Sequence, residues 1–226
     1  MQRLFDILFS TVALCVLLPI LASIAFLLRL TGEGEVFYRQ WRVGKNEEPF
    51  ELLKFATMLK DSPNIGSGNI TVKADPRVLP LGRILRKTKI NELPQLLNVF
   101  VGDMSIVGPR PLTQDNYNLY SENAKTKIRE VLPGLSGAGS IFFRNEELLF
   151  SDGADIKTIY ADSIAPYKGA LEIWYVDNQS ISVYFKMIFV TVWVIFLPTS
   201  QISKTVFRDM PEPPKVLVES LGALKS

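Results

Sequence analysis

The sequence contains no histidine and a single cysteine, Cys15, in 226 residues. The most common general base and metal ligand of proteins is therefore absent. One cysteine cannot form an intrachain disulfide or a cysteine-based zinc site, which suits a reducing compartment. Any catalysis must use Asp, Glu, Lys or Arg side chains, or a metal ion held by oxygen ligands.

The chain also lacks a strong net charge and the common nucleotide-binding motifs. Its 25 Lys and Arg residues nearly balance 23 Asp and Glu residues, and it contains no aromatic-basic repeat, which argues against nucleic acid as a partner. Neither a Walker A sequence nor a dinucleotide-binding glycine pattern is present. With 47% hydrophobic residues, the composition indicates one globular domain with an unusually apolar attachment.

That attachment is the uncharged stretch at residues 7 to 28. As an α-helix it would be about 33 Å long, which matches the hydrocarbon thickness of a bilayer. A cleaved signal peptide is the alternative, but this apolar run is longer than the usual core of a signal peptide. We therefore predict a membrane segment.

The charges that flank this segment leave its path open. Arg3 precedes it and Arg29 follows it, so the positive-inside rule draws both ends toward the cytoplasm. Pro19 removes a backbone donor and kinks a helix, which would let the segment enter and leave on one face as a re-entrant hairpin of helices. A kinked helix that simply spans the membrane is the other interpretation.

The rest of the chain is typical of an α+β protein that is mainly α-helical. Residues 35 to 43 and 50 to 58 predict the strands of a β-hairpin, and residues 61 to 70 predict a loop. Helices are predicted at about residues 80 to 90, 94 to 101, 112 to 131 and 154 to 171. The aromatic run at residues 183 to 198 fits either a helix at the membrane interface or a core helix. The proline-rich tail beyond it predicts an extended arm.

Two segments offer side chains for phosphate chemistry. The stretch KTKINELPQL, residues 87 to 96, places Asn91 beside Glu92 among cations. A carboxylate can attack phosphorus, whereas a neutral amide is a very poor nucleophile. The stretch GDMSIVGPRPL, residues 102 to 112, brackets Arg110 with glycine and proline. This indicates a rigid loop that holds a guanidinium fork, which suits phosphate oxygens but equally fits a structural clamp.

A third candidate is the segment PGLSGAGSIFFRNEELL, which contains Arg144. Its glycine-rich backbone could form an anion-binding nest before Arg144. The residues that follow Arg144 read equally well as an ordinary helix N-terminus.

Taken in order, these segments resemble the bacterial sugar transferases, the small monotopic phosphoglycosyl transferases. The resemblance covers about residues 3 to 195 and rests on RLFDILFSTVALCVLLPI, VFYRQWRVGKNEEPFELLKFATM, LGRILRKTKINELPQLLNVFVGDMSIVGPRPL, PGLSG and WYVDNQS. Members of that family transfer a phosphosugar from a UDP-sugar to a polyprenyl phosphate such as undecaprenyl phosphate, release UMP and use Mg²⁺. The reaction is the first membrane step in the assembly of capsule, O-antigen or exopolysaccharide glycans.

The resemblance also implies an architecture and a location. Residues 1 to 30 would form a re-entrant membrane helix, residues 31 to 200 a catalytic domain with interfacial amphipathic helices, and residues 201 to 226 an extended arm. The protein would lie on the cytoplasmic face of the bacterial inner membrane, in contact with membrane lipids. The transferred sugar cannot be read from the sequence, and the oligomeric state is open, with a homodimer as one option.

Roles for individual residues follow from the same resemblance. Glu92 is the second member of the family's Asp-Glu catalytic pair and is implied to act at the metal ion. Lys54, Arg86 and Arg110 are implied to surround the substrate phosphates, and Arg144 is matched to an arginine of the family's late motif.

The sequence departs from the family pattern at several positions. Asn91 stands where the family has its nucleophilic Asp, and Leu18 stands before Pro19 where a Ser is usual. Ala56 replaces the basic residue of the KFR or KFK motif, and FFRNEE stands where many members carry a sequence like QVNGRN. Loss of the hydroxyl at position 18 weakens the case for a re-entrant helix.

Four interpretations of Asn91 follow. The chain is a natural branch that still transfers phosphosugar, by direct attack of polyprenyl phosphate or through another carboxylate, of which Glu92, Glu146 and Glu147 are candidates. It is an enzyme whose nucleophile was blocked by engineering. It is a non-catalytic relative that binds substrate or recruits pathway enzymes. Or Asn91 is a helix cap before residues 93 and 94. Retention of Glu92 and the cations favours an active transferase.

Overall fold

The computed structural model describes residues 1–65, 75–144, 158, 160–197, 200, 202–214 and 217. Over these residues the chain is mainly helical and contains one antiparallel β-hairpin and one short parallel strand pair. The predicted α+β class is confirmed. Residues 66 to 70, half of the predicted loop at residues 61 to 70, lie outside the described residues.

The N-terminal apolar segment forms a single helix, α1, at Gln2–Leu30. Its length and hydropathy are sufficient to cross a membrane, so the predicted long apolar helix is confirmed. The helix continues through Leu18 and Pro19, and the Ser23 hydroxyl donates a hydrogen bond to the Pro19 carbonyl at 2.9 Å. The re-entrant path around Pro19 stays a prediction.

The N-terminal end of α1 is attached to the rest of the chain through Asp6. This carboxylate is buried, and its Oδ1 atom accepts hydrogen bonds from the Ser105 hydroxyl at 3.0 Å, the Ile106 N–H at 3.0 Å and the Tyr184 hydroxyl at 2.9 Å. A buried carboxylate needs such donors to offset its desolvation. Asp6 therefore joins α1 to two distant segments.

The C-terminal end of α1 is also attached. Leu28 is buried and packs with Phe55 and Leu85. Between the two attached ends, side chains such as Val12 and Val16 are exposed. The middle of α1 therefore presents apolar surface while both of its ends contact the same domain.

The hairpin follows α1. Strand β1, Phe37–Val43, pairs antiparallel with β2, Pro49–Phe55, in a register that sets Tyr38 opposite Lys54. Alternate side chains of a strand point to opposite faces, so one face of the hairpin presents a polar row toward the cavity described below. The predicted hairpin is confirmed.

The next two helices match the predictions at residues 80 to 90 and 94 to 101. Helix α2, Pro80–Lys87, starts with proline in its first turn, where the missing N–H is harmless. Lys89 adopts a positive φ of 60° and turns the chain into the 3₁₀ turn Ile90–Glu92. Helix α3, Gln95–Val101, then begins.

The predicted helix at residues 112 to 131 is wrong in its extent. The chain forms two short helices, α4 at Gln114–Asn118 and α5 at Glu122–Ile128. They separate because Ser121 takes an extended conformation and its side chain caps α5 by accepting the Ala124 N–H.

Strands β3, Ser105–Val107, and β4, Gly134–Ser136, flank these two helices in the chain and pair in parallel. The backbone just after β3 lies close to the first residue of β4, and a Cβ atom at Gly134 would lie 2.1 Å from the Gly108 nitrogen. Helix α6, Ala138–Phe142, follows β4 directly. The strand pair thus fixes the loop that carries Arg110 beside the start of α6.

The main hydrophobic core forms around two longer helices. A π-helical turn at Tyr160–Ile164 leads into α7, Ala165–Asp177, which is followed by α8, Ile181–Phe196. Their buried side chains pack with those of α4 and α5. The first part of the helix predicted at residues 154 to 171 lies outside the described residues, and the observed helix continues to Asp177.

Helix α8 confirms the core interpretation of the aromatic run at residues 183 to 198 on one of its faces. One face is buried in the core, with side chains that include Tyr184 and Met187. The other face exposes Phe189, Trp193 and Phe196. Contact of this exposed face with a membrane stays a prediction.

The tail expected as an extended arm contains a short helix, α9, at Ile202–Val206. Beyond it, the tail packs on α7: the ring centroid of Phe207 lies 5.4 Å from that of Trp174, and the Tyr167 hydroxyl donates to the Pro211 carbonyl at 2.9 Å. Residues 218 to 226 lie outside the described part of the chain.

Candidate active site

A cavity of about 900 Å³ lies between the hairpin, the turn before α3, the loop after β3, α6 and α8. Six residues singled out in the sequence line it: Lys54, Arg86, Asn91, Glu92, Arg110 and Arg144. They come from positions up to 90 residues apart, so the fold brings the predicted phosphate-binding side chains together. Leu18 and Pro19 do not line this cavity and belong to α1.

The carboxylate of Glu92 is the centre of the cationic group. Its Oε1 atom lies 3.1 Å from Lys54 Nζ and 3.7 Å from Arg110 Nη2. Strand β2 supplies Lys54, the 3₁₀ turn supplies Glu92, and the loop after β3 supplies Arg110. Three separate elements therefore meet at one carboxylate.

The charges around Glu92 set its protonation state. Burial alone would raise the pKa of this carboxyl, but the positive charges of Lys54, Arg110 and Lys89 outweigh burial and hold its pKa well below the usual range. Glu92 is thus ionised over the physiological pH range. A carboxylate of such low basicity is a weak nucleophile and a strong electrostatic partner for cations.

The same surroundings disfavour the charged form of Lys54. Burial, opposed by the Glu92 charge but aided by the charges of Arg110 and Arg42, lowers the pKa of Lys54 to about 8. One carboxylate cannot neutralise three cations. The site therefore carries excess positive charge, which suits a phosphate or diphosphate ligand.

Arg42 is a functional candidate that the sequence reasoning missed. It lines the cavity, donates to the Pro111 carbonyl at 3.2 Å and to the Gln40 side chain, and its Nε atom is buried with no hydrogen-bond partner among the described residues. Burial and the nearby Arg110 charge lower the pKa of Arg42 to about 10. The two-residue alternation of β1, which puts Gln40 and Arg42 on one face, was the signal that could have identified it.

Asn91 lies next to Glu92 and is buried, with 6% of its surface exposed. Its Oδ1 atom has no hydrogen-bond partner in the described part of the chain. The N-cap residue of α3 is Pro94, and no side chain caps this helix by a hydrogen bond. The interpretation of Asn91 as a helix cap is therefore wrong, because the left-handed turn at Lys89 directs this residue into a separate 3₁₀ turn.

The residues around Asn91 include oxygen donors of the kind that Mg²⁺ prefers. No group of three or more His, Cys, Asp or Glu side chains within the described ranges could hold a metal ion by itself. The buried, unpaired Oδ1 of Asn91 and the Glu92 carboxylate are oxygen donors of consecutive residues, and both residues line the cavity. Mg²⁺ in phosphate-binding sites commonly has one or two protein ligands, with substrate phosphates and water completing the shell. These two residues fit such a site.

The far end of the cavity is lined by Arg144 and Lys168. Burial lowers the pKa of Arg144. Lys168, which the sequence reasoning missed, is buried with its Nζ 5.0 Å from the ring centroids of both Phe143 and Tyr160. The candidate carboxylates at positions 146 and 147 lie outside the described residues.

Arg86 and Ala56 occupy the side of the cavity next to α2. The Arg86 guanidinium lies 3.7 Å from the Met58 sulfur, a weak acceptor. Ala56, which directly follows β2, has only an uncharged methyl side chain and adds no positive charge to the cavity. Arg86 thus supplies positive charge on a side where position 56 supplies none.

The chain matches one family model and several known proteins. The family model for bacterial sugar transferases matches residues 1–198. The chain is 36% identical over 192 residues to the uncharacterized sugar transferase EpsL of Bacillus subtilis, covering 85% of each chain. It is 36% identical over 159 residues to the exopolysaccharide production protein ExoY of Rhizobium meliloti, covering 64% of this chain and 70% of that protein. It is also 33% identical over 196 residues to the undecaprenyl-phosphate glucose phosphotransferase of Komagataeibacter xylinus, covering 84% of this chain and 35% of that protein.

Proposed function

This chain belongs to the bacterial sugar transferase family, and from that membership we propose that it transfers a sugar phosphate from a UDP-sugar to polyprenyl phosphate and releases UMP. The transfer of sugar phosphate to undecaprenyl phosphate is supported by the name of the Komagataeibacter relative. A role in exopolysaccharide assembly is supported by the name of ExoY.

The observation that carries this proposal is the cationic group around Glu92. Lys54, Arg42 and Arg110 provide excess positive charge in a cavity large enough for a nucleotide sugar. Phosphoryl transfer requires positioning and neutralisation of charge on the transferred group more than it requires covalent chemistry from the protein. The size and the positive charge of the cavity support a site that meets both requirements.

We infer a direct displacement because position 91 carries an amide. An oxygen of the polyprenyl phosphate attacks the sugar-bearing phosphorus of the donor, and the bond from that phosphorus to the oxygen of UMP breaks. The electron pair of the broken bond leaves with UMP. Arg110 and Lys54 bind the phosphate oxygens, and Glu92 holds both cations in position.

Magnesium is part of the proposal as a further neutralising charge. Asn91 Oδ1 and the Glu92 carboxylate would hold the ion, and bound Mg²⁺ would withdraw charge from the diphosphate oxygens. The remaining ligands would come from the substrate and from water.

The proposed location is the cytoplasmic face of the bacterial inner membrane. Both ends of α1 attach to the same domain, through Asp6 and Leu28, while the middle of α1 exposes apolar side chains. This arrangement supports a helix that enters and leaves one leaflet. The exposed aromatic face of α8 supports further contact with lipid.

A second candidate is a non-catalytic relative that binds nucleotide sugar. The specific observation in its favour is the amide of Asn91 at the position of the family's nucleophile. One experiment separates the two: UMP release is measured from a panel of UDP-sugars with Mg²⁺, with and without polyprenyl phosphate. Release that requires the acceptor supports direct transfer, whereas binding of a UDP-sugar without any release supports the non-catalytic protein.

A further inference from the structure

Glu172 lies just behind the cavity wall and belongs to α7. Only 2% of its surface is exposed. Its Oε1 atom accepts a hydrogen bond from the Arg110 N–H at 3.3 Å, and the Gly139 N–H also donates to this carboxyl. One buried carboxyl therefore connects α7 to the loop that carries Arg110 and to the start of α6.

The approach between α6 and Glu172 depends on glycine at position 139. A Cβ atom at Gly139 would lie 2.5 Å from Glu172 Oε1. That separation is far below a van der Waals contact, so any larger side chain at position 139 would displace the carboxyl. The local backbone is thus fitted to the carboxyl.

The second carboxyl oxygen is poorly satisfied. Oε2 of Glu172 is buried and has no hydrogen-bond partner among the described residues. An unsatisfied buried oxygen destabilises the fold, and an apolar or amide side chain would fill the same space with less desolvation. A contribution to stability therefore does not explain this glutamate.

We propose that Glu172 is a positioning residue of the phosphate site: its carboxylate fixes the backbone of Arg110 so that the guanidinium faces Glu92 and the bound phosphate. The identity of the phosphate ligand rests on the proposed function. The guanidinium of Arg110 lies 3.7 Å from Glu92, and the opposite side of the same residue is held by Glu172. Arg110 is thus held at its backbone and at its side chain by two different carboxylates.

The charge state of Glu172 makes this contact sensitive to pH. Burial raises the pKa of Glu172 to about 7, opposed by the Arg110 N–H, by the charges of Lys168 and Arg110, and by the Gly139 N–H. Tyr175, on the same helix, also faces this carboxyl. An ionised carboxylate accepts stronger hydrogen bonds than a neutral carboxyl, so Arg110 is held more firmly above pH 7 than below it.

The test is a double-mutant cycle on the affinity for UDP, measured by calorimetry. At pH 8, Glu172→Gln is expected to bind UDP about tenfold more weakly than the wild type. In an Arg110→Ala background, Glu172→Gln should cause no further loss, because its effect acts through the Arg110 side chain. Equal losses in both backgrounds would overturn the inference.

The pH dependence supplies a second readout. The ratio of the two UDP affinities, wild type to Glu172→Gln, should decrease toward one between pH 8 and pH 6, because the wild-type carboxyl becomes neutral. Taking the ratio at each pH cancels the titration of UDP itself. A ratio that stays constant across this range would contradict a role for the ionised carboxylate.

Stability measurements separate positioning from folding. The folded-state pKa of Glu172 exceeds its ordinary value, so ionisation of Glu172 destabilises the fold as pH rises toward 7. Glu172→Gln should therefore keep or raise the thermal midpoint at pH 8 while it weakens UDP binding. A lowered midpoint with matching loss of binding would overturn the inference. Glu122→Gln, at a side chain that is 89% exposed, is the control and should change neither quantity.

Failure of the inference and failure of the proposed function give different results. UDP binding needs no turnover, so dependence of binding on Glu172 without UMP release would leave the inference standing and sink the proposed reaction. UMP release together with a UDP affinity that is unchanged in Glu172→Gln would support the proposed reaction and overturn the inference about Glu172. A wild-type protein that binds no UDP would overturn both.

Discussion

Glu92 and Lys54 form an ion pair with 3.1 Å between Oε1 and Nζ, and both side chains are about four-fifths buried. The pair joins the turn before α3 to the end of β2. Because Arg110 also contacts the same carboxylate, removal of Glu92 would leave several cations together without a counter-charge.

Glu92→Gln should therefore reduce both activity and stability. Loss of one partner of a buried ion pair destabilises a protein by about 3 kcal/mol, and the remaining cations would repel one another. Urea unfolding and UMP release measure the two effects. Glu51→Gln, which breaks an exposed pair with Arg39, is the matched control and should leave both nearly unchanged. Wild-type activity in Glu92→Gln would exclude Glu92 from the proposed role.

The pKa of Lys54 near 8 predicts a basic limb in the pH profile. If protonated Lys54 binds the donor phosphates, kcat/KM should fall as pH rises through about 8, and the limb for kcat should lie at higher pH, since bound phosphate stabilises the ammonium. Lys54→Arg should move the limb beyond the measurable range. A limb at pH 8 that persists in Lys54→Arg would assign the titration to another group.

The contribution of Lys54 to the free energy of unfolding should increase with pH, whereas kcat/KM should decrease. Its folded-state pKa is below the ordinary value of 10.5, so the fold favours the neutral amine. Stability contributed by this group is therefore greatest at high pH and decreases as pH falls through 10.5 toward 8. Denaturant titrations of the wild type and Lys54→Met at pH 8 and pH 10 would reveal it, with a smaller difference between the two pH values expected for the variant.

Arg110→Lys should damage turnover far more than it damages the fold. Lysine keeps the charge but loses the planar fork, so kcat/KM is expected to fall about 100-fold. The thermal midpoint should change by only about 2 °C, because the Arg110 side chain is 42% exposed. A drop in the midpoint that accounts for the lost activity would instead favour a structural clamp.

Asn91→Asp should create a half-reaction that the unchanged chain lacks. An amide cannot form an acyl phosphate, so the wild type mixed with labelled UDP-sugar and no acceptor should release no stoichiometric UMP and carry no labelled phosphosugar. The Asn91→Asp variant should release stoichiometric UMP and carry the labelled phosphosugar, because the surrounding cations neutralise charge on the transferred phosphoryl group. A labelled peptide containing Glu92, Glu146 or Glu147 in the wild type would show that another carboxylate serves as nucleophile.

The topology of α1 can be tested by labelling intact cells. In a Cys15→Ser background, single cysteines at residues 2 and 225 should both be protected from an impermeant thiol reagent if both termini face the cytoplasm. Each should react after the cells are permeabilised. Labelling of residue 2 alone in intact cells would show a spanning helix and end the re-entrant interpretation.

The sequence predicted the elements whose signals are local. The hairpin follows from two β-rich runs around a turn. Glu92 and Arg110 were identified by motif and charge, whereas Lys54 was identified through the resemblance. That these three residues share one site was predicted from the family resemblance and not from the local sequence pattern. The split between α4 and α5 was missed because the cap at Ser121 is a weak local signal inside an otherwise helical stretch.

Glu172 shows why the remaining part of the site was not predictable. Its partner, the Arg110 N–H, is 62 residues away, and its neighbour Gly139 matters only because two backbones meet there. In the sequence, Glu172 lies just after the helix predicted at about residues 154 to 171, and no local pattern marks it. Only tertiary packing shows that this residue is buried and contacts the site.

The attachment of Asp6 to Tyr184 sets an order of events during synthesis. The two residues are 178 positions apart, so a ribosome adding about 5–20 residues per second needs on the order of 10–35 s between them. Throughout that interval α1 is complete but lacks its partner on α8. The apolar helix therefore has time to partition into lipid before the domain can close over its N-terminal end, and a nascent chain halted before residue 184 should already sediment with membranes.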